Sequence, residues 1–129
     1  MSAQRLRIET IKKRADFLRV SASGKKFSVN SFLLLVGPMP AHATASADVR
    51  FGLTVTKKLG NAVVRNRIRR RLREAFRQAG PGCATAGHDY VLIARTNALL
   101  CEFSTLIGDL QFALPRVHKA PPTPFKKKP

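Results

Sequence analysis

The chain has 129 residues, with 24 Lys and Arg against 7 acids, a formal charge of +17 and a pI near 11.5. That length suits one domain with a modest core, and 44% apolar residues are too many for a basic tail without a fold. No apolar run approaches the roughly 20 residues that span a bilayer. The first residues, MSAQRLRIETIKKR, lack the apolar core of a signal peptide. These features point to a soluble, cytoplasmic protein whose partner is a polyanion, with no membrane role. Cys83 and Cys101 have no metal-ligand spacing, and His42, His88 and His118 are scattered. Free, partly buried thiols are the expectation for both cysteines.

Residues 1–12 are basic and read as irregular. Lys13 to Ser23 reads as a short helix with Phe17, Leu18 and Val20 as its apolar residues and Gly24 as its stop. Phe27 to Val36 is rich in strand formers and ends at Gly37-Pro38. Residues 37–48, GPMPAHATASAD, form a loop of small residues, and Val49 to Val55 alternates at the strand period. The two strands are expected to pair antiparallel across that loop.

Gly60-Asn61 is a turn-and-cap signal with Asn61 as N-cap. A helix follows that carries seven arginines between Arg65 and Arg77. At the helical period Val64, Ile68, Leu72, Ala75, Phe76 and Ala79 share one stripe. Asn66, Arg69, Arg70, Arg73 and Arg77 gather opposite, with Arg65 on the border. The run holds a single acid, Glu74. Such a face repels itself unless a polyanion lies against it, and guanidinium matches phosphate through paired donors. Residues 78–82 are expected to end this helix. Asp89 to Arg95 is a continuous apolar strand expected to be buried on both faces. Ser104 to Leu114 is a last amphipathic helix closed by Pro115. The order is α-β-β-α-β-α, with room for one further strand from the first segments. This is an α+β fold: a single-domain sandwich of a small mixed sheet and helices. Residues 1–115 are expected to form a single nucleic-acid-binding domain, and 116–129, rich in Pro and Lys, form a tail expected to be disordered.

Three features carry chemistry. The first is the motif K-K-x-G-N-A-V-x-R-N-R-I-x-R, in which Lys57, Lys58, Asn61, Arg65, Asn66, Arg67, Arg69, Arg70 and Arg73 are candidates for binding RNA. The backbone N–H groups at the start of that helix add an anion site. The second is Phe17 and Phe27 among Lys12, Lys13, Arg14, Lys25 and Lys26, a pattern of stacking platforms beside a cationic track. Phe32 reads as core. The third is Lys126 to Lys128, which reads as a solvated end. The seven acids form no close pair that suggests a metal cage, and no P-loop or dinucleotide fingerprint is present.

The stretch Phe51 to Arg77, FGLTVTKKLGNAVVRNRIRRRLREAFR, resembles the signature of the bacterial ribonuclease P protein subunit. DYVLIAR downstream and DFLRV at Asp16 to Val20 are placed as in that family, and the similarity covers about residues 5–114. The resemblance implies a left-handed β-α-β crossover made by the arginine helix. It also implies partnership with a catalytic RNA subunit and with precursor tRNA, whose 5′ leader the RNA removes, with no DNA expected. Mg²⁺ would then be bound by the RNA and by no protein motif, and no protein residue would be catalytic. Phe17, Phe27, Lys13 and Arg14 would bind the leader. Where the family often has a second cleft aromatic, this chain has Ser21. The alternative is a ribosomal RNA-binding protein with no part in cleavage.

Overall fold

A computed structural model describes residues 6–22, 25–45 and 47–119. The expected stop at Gly24 and the lysines at 126–128 lie outside the described residues. Among the described residues five strands and four helices follow one another as β1 (Ile8–Thr10), α1 (Arg14–Ala22), β2 (Lys25–Ser28), β3 (Phe32–Pro38), β4 (Val49–Thr54), α2 (Ala62–Cys83), β5 (His88–Ala94), α3 (Asn97–Leu100) and α4 (Phe103–Val117). The α+β reading holds, with one mixed sheet in the order β1-β4-β5-β3-β2.

The predicted pairing of the two strands across residues 37–48 does not form. β5 lies between them, parallel to β4 and antiparallel to β3. The apolar pattern of β5 explains this. Asp89, Tyr90, Val91 and Leu92 are all buried, and a strand apolar on both faces gains most from the central slot. The single strand expected over 27–36 is a hairpin instead. Phe27 pairs with Leu34, and the turn closes through the Val29 N–H donating to the Phe32 carbonyl at 3.0 Å. The irregular N-terminus contributes β1, which pairs with β4 in parallel, Ile8 opposite Val49.

Alternation along the strands divides the side chains between two unequal cores. Phe32, Leu34, Val49, Phe51, Tyr90 and Leu92 join α2 and α4 in the larger one. There the apolar stripe of α2 is buried as its period requires, and Phe76 stacks on Phe51 at 4.4 Å between centroids. The other face carries only Ile11, Val20, Leu35 and Val91, with Phe17 and Ile93 partly buried against them.

Two helix ends differ from expectation. α2 runs through Gly80, Pro81 and Gly82 to Cys83. Gly80 is a packing residue: a Cβ there would lie 2.9 Å from the Phe76 ring and 3.4 Å from Ile8. α4 passes Pro115 and ends at Val117, which is fully buried and extends the stripe of Leu106, Leu110 and Leu114. Proline in a last turn removes one hydrogen bond without ending the helix. His118, assigned to the tail by its composition, instead meets the Tyr90 hydroxyl at 2.6 Å through Nε2.

α1 buries one residue fully, Val20, so apolar area alone fixes it weakly. Charge does the rest. The fully buried carboxylate of Asp89 accepts from Arg50 Nε at 2.9 Å and Arg50 Nη2 at 2.6 Å. It also accepts from Arg19 Nη2 of α1 at 2.6 Å, and the same nitrogen reaches Asp16 at 3.2 Å. Arg19 donates as well to the carbonyl of Pro38 on β3. Burial pushes the Asp16 carboxyl up, but hydrogen bonds and charge from Arg19 and Arg50 outweigh it and hold the group below the usual carboxylate range.

Replacing Arg50 with Ala leaves Asp89 buried with Arg19 as its remaining cation. A partner removed from a buried pair costs about 3–5 kcal/mol, so urea unfolding of Arg50→Ala should show a loss near 3 kcal/mol. A loss below about 0.5 kcal/mol, the ordinary surface level, would show that the clamp contributes little. Asp16 has a lower pKa folded than unfolded. Its contribution is therefore complete above about pH 4 and fades as pH falls through the folded value.

Candidate nucleic-acid interface

The entry to α2 is built residue by residue from the motif. Lys57 and Lys58 sit, exposed, on a 3-10 turn over Lys57–Leu59 that leaves β4. Gly60 follows at φ 146°, a region that L side chains rarely adopt, and a Cβ there would meet Val64 at 2.8 Å. Asn61 then caps the helix as its type predicts, its Oδ1 accepting from the Val64 N–H at 3.0 Å. That bond uses one of the free N–H groups that the sequence offers to an anion.

The arginines of α2 divide by task. Arg65 is half-buried and its Nε donates to the Gly60 carbonyl at 3.1 Å, which ties the helix to its own turn. Arg71 points away from the cationic face. Its Nε donates to the Ala98 carbonyl at 2.9 Å and its Nη2 to the Cys101 carbonyl, so it closes the end of α3. Residue type alone could not separate Arg71 from its neighbours; its place on the helical wheel, nearer the apolar stripe, was the available signal. Arg67 and Arg70 are exposed, Arg69 and Arg73 half-exposed. Asn66 accepts from Arg69 Nη1 at 2.9 Å, which fixes that guanidinium along the helix. Val63, Asn66, Arg67 and Arg70 line a shallow groove. Among the described residues no arginine of α2 forms an ion pair.

The aromatic candidates part company. Phe17 lies on the face covered by α1. Its ring sits over Gly52 of β4, where an added Cβ would come within 2.6 Å of Cε1 and Cζ. Beside it opens a cleft of about 330 Å³ lined by Lys12, Arg14, Phe17, Leu53 and Thr54. Lys13 gives its carbonyl to the N–H groups of Asp16 and Phe17, and its side chain is exposed. Phe27 is not brought to this cleft. It lies directly opposite Leu34 and so shares the face of the larger core, where it packs on Phe112 of α4 at 5.8 Å. The sheet therefore separates it from Phe17, and it does not replace an aromatic at Ser21. Ser21 itself is exposed on α1. Leu53 and Thr54 line the cleft and Gly52 lies beneath the Phe17 ring, and residue type marks none of the three in the sequence as a candidate. Gly52 shows in the sequence only as a glycine inside a strand, a mark of close approach.

Five of the seven acids have side-chain partners, and Glu9 and Glu102 are exposed. Asp16 and Asp89 form the clamp, Asp48 pairs with Arg7 at 3.3 Å, Asp109 accepts from Ser31 at 2.6 Å and Glu74 from Gln78 at 3.3 Å. Among the described residues no group of His, Cys, Asp and Glu is arranged to hold a metal ion. No helix there is long and apolar enough to cross a membrane.

Comparison with known proteins fits this geometry. The family model described as Ribonuclease P matches residues 6–118. The ribonuclease P protein component of Paramagnetospirillum magneticum is 47% identical over 111 residues, covering 86% of this chain and 84% of that one. That of Bartonella quintana is also 47% identical, over 102 residues, with 78% and 76% covered. Among solved structures, the RNase P protein from Thermotoga maritima superposes with a TM-score of 0.68 at 29% identity, covering 83% of this chain and 96% of that one. A Staphylococcus aureus RNase P protein, described as a mutant with defective mRNA degradation activity, gives 0.69 at 32%, with 86% and 88% covered. None of these relatives favours the ribosomal alternative. With a family model spanning nearly all the described residues, and relatives alike in sequence and in fold, the chain belongs to the ribonuclease P protein family.

Proposed function

We propose that the protein binds two RNAs at once, the RNA subunit of ribonuclease P and a precursor tRNA, and that the RNA subunit removes the 5′ leader. The observation that carries this reading is the separation of two cationic surfaces. One is a helix face on which, among the described residues, the guanidinium groups of Arg67, Arg70 and Arg73 have no ion pair. The other is an open cleft whose lining joins one aromatic ring, Phe17, to Lys12, Arg14, Leu53 and Thr54.

The helix face suits a folded RNA. Guanidinium forks on an exposed helix meet phosphates without demanding a base sequence. Lys57 and Lys58 extend the same surface from the turn before it. The cleft suits a single strand, because a base stacks on an aromatic ring while flanking cations hold its phosphates. Arg14 and Lys12 stand where those phosphates would pass.

Bond breaking is assigned to the RNA. Hydrolysis of a phosphodiester by metal-bound water needs close-set oxygen ligands for Mg²⁺, which RNA phosphates supply. Among the described residues no group of acids is arranged to hold a metal ion, and a charge of +17 disfavours free Mg²⁺ nearby. The protein lowers the repulsion between two polyanions and positions the leader. Reconstitution tests this. RNA and protein together should remove the leader at an Mg²⁺ concentration where the RNA alone fails, and the protein alone should leave precursor tRNA intact. Cleavage by RNA-free protein would overturn the assignment.

The helix face has its own readout. Arg70→Ala should weaken binding of the RNA subunit and lower the slope of log affinity against log salt by about 0.7–0.9, the value of one phosphate contact. Helix content should not fall, since Ala is a good helix former. An unchanged slope would remove Arg70 from the interface.

A further inference from the structure

Three hollows on the surface share lining residues and so lie in series as one path of neighbours. The Phe17 cleft includes Lys12. Lys12 also lines a second hollow of about 320 Å³ with Ile8, Glu9, Thr10, Phe51 and Arg77. Ile8 and Arg77 in turn line a third, of about 440 Å³, with Leu6 and Pro81. The path leaves the α1 face at Lys12, crosses the end of the sheet and runs between β1 and the C-terminal half of α2. Among the described residues β1 is the last strand of the sheet on this side, and its outer edge has no strand partner there, so it offers backbone donors and acceptors.

The chemistry along the path is that of a single RNA strand. Arg77 is exposed, and among the described residues its guanidinium has no ion pair or hydrogen bond. It stands on the α2 wall where the second and third hollows meet, and Lys12 stands where the first and second meet. Two cations are thus placed in series for phosphates. Glu9 is the one acid on the path. A carboxylate repels phosphate but accepts hydrogen bonds from base amino groups. Leu6, Ile8 and Pro81 give an apolar floor for a base or ribose. A protein or peptide partner is disfavoured by the charge of the chain and by the continuity of the path with the aromatic cleft.

We propose that the furrow between β1 and α2, with Arg77 at its centre, is a second subsite for single-stranded RNA that takes the part of the leader lying 5′ of the segment held at Phe17. The proposal rests on the reading of the Phe17 cleft as the leader site. It makes Arg77 a determinant of how much leader the protein senses, distinct in role from Arg67 and Arg70 on the helix face.

The test is binding of the full chain, assembled with its RNA subunit, to mature tRNA and to precursor transcripts with leaders of about 4 and about 12 nucleotides, a range of site sizes known for single-strand binders. Wild type should bind the long leader more tightly than the short one. Its slope against log salt should steepen by about 0.7 for each additional phosphate that the protein neutralises. Arg77→Ala should lose one such increment on the long leader alone, with the short leader and mature tRNA unchanged. Arg77→Glu should bind the long leader no better than the short. Circular dichroism of both variants checks that α2 is intact. Equal weakening on all three RNAs would place Arg77 against the RNA subunit and overturn the proposal. So would an unchanged advantage of the long leader. Failure of the underlying reading looks different: wild type and Phe17→Ala would then bind all precursors and mature tRNA alike.

Discussion

The buried carboxylate of Asp89, shared between Arg50 of β4 and Arg19 of α1, is the contact on which the α1 side of the sheet depends. One face of the sheet has a large apolar core that needs no help. The other has, among the described residues, a cluster of four buried apolar residues and a helix that contributes one of them. Without the clamp, α1 would have little reason to hold one orientation. With it, Asp16 and Arg19 are fixed, and Phe17, next to Asp16, is set over the bare backbone of Gly52. The aromatic wall of the cleft is thus positioned by charge. The arrangement costs desolvation of several ions, and it holds because each acceptor oxygen of Asp89 has a donor.

The same economy explains how a chain with a charge of +17 folds and still presents cations. Three of its seven acids, Asp16, Asp48 and Asp89, pair with cations that the fold buries or fixes. Asp89 serves Arg50 and Arg19, and Asp48 serves Arg7 at the start of β1. Other cations are satisfied by backbone carbonyls, as Arg71 is at Ala98 and Arg65 at Gly60. What remains on α2 is an excess of positive charge. Self-repulsion along that helix is tolerable for the protein alone in salt and is relieved when a polyanion screens it.

Local pattern makes α1, α2, α4 and β5 legible in the sequence, while the four-residue α3 is too short to show a period. The stripe of Ile68, Leu72, Ala75 and Phe76 and the cap at Asn61 follow from spacing and local chemistry, which act over a few residues. Strand order does not follow, because pairing β5 between β3 and β4 is decided by burial across the whole sheet. Two helix ends are misread because Gly80 and Pro81, and then Pro115, usually signal a stop. Here Gly80 serves close packing on Phe76, and each proline falls in a last turn that tolerates it. Phe17 and Phe27 look equivalent in sequence, with basic neighbours on both. Only the face of the sheet separates them. Asp16, Arg19, Arg50 and Asp89 are ordinary charged residues one by one, and their convergence is a property of topology alone.

A thermodynamic cycle between the clamp and the aromatic tests this account most directly. Asp16→Ala, Phe17→Ala and the double variant would each be measured for affinity to precursor and to mature tRNA, with melting temperature as the control for folding. The account predicts that Phe17→Ala costs about 1–3 kcal/mol on precursor tRNA only. It predicts that Asp16→Ala loses much of the same precursor-specific affinity, and that the double variant is little worse than Phe17→Ala alone, since the two act as one unit. Additive losses, or an Asp16→Ala variant that keeps its full preference for precursor, would contradict the claim that the ionic clamp is what places Phe17.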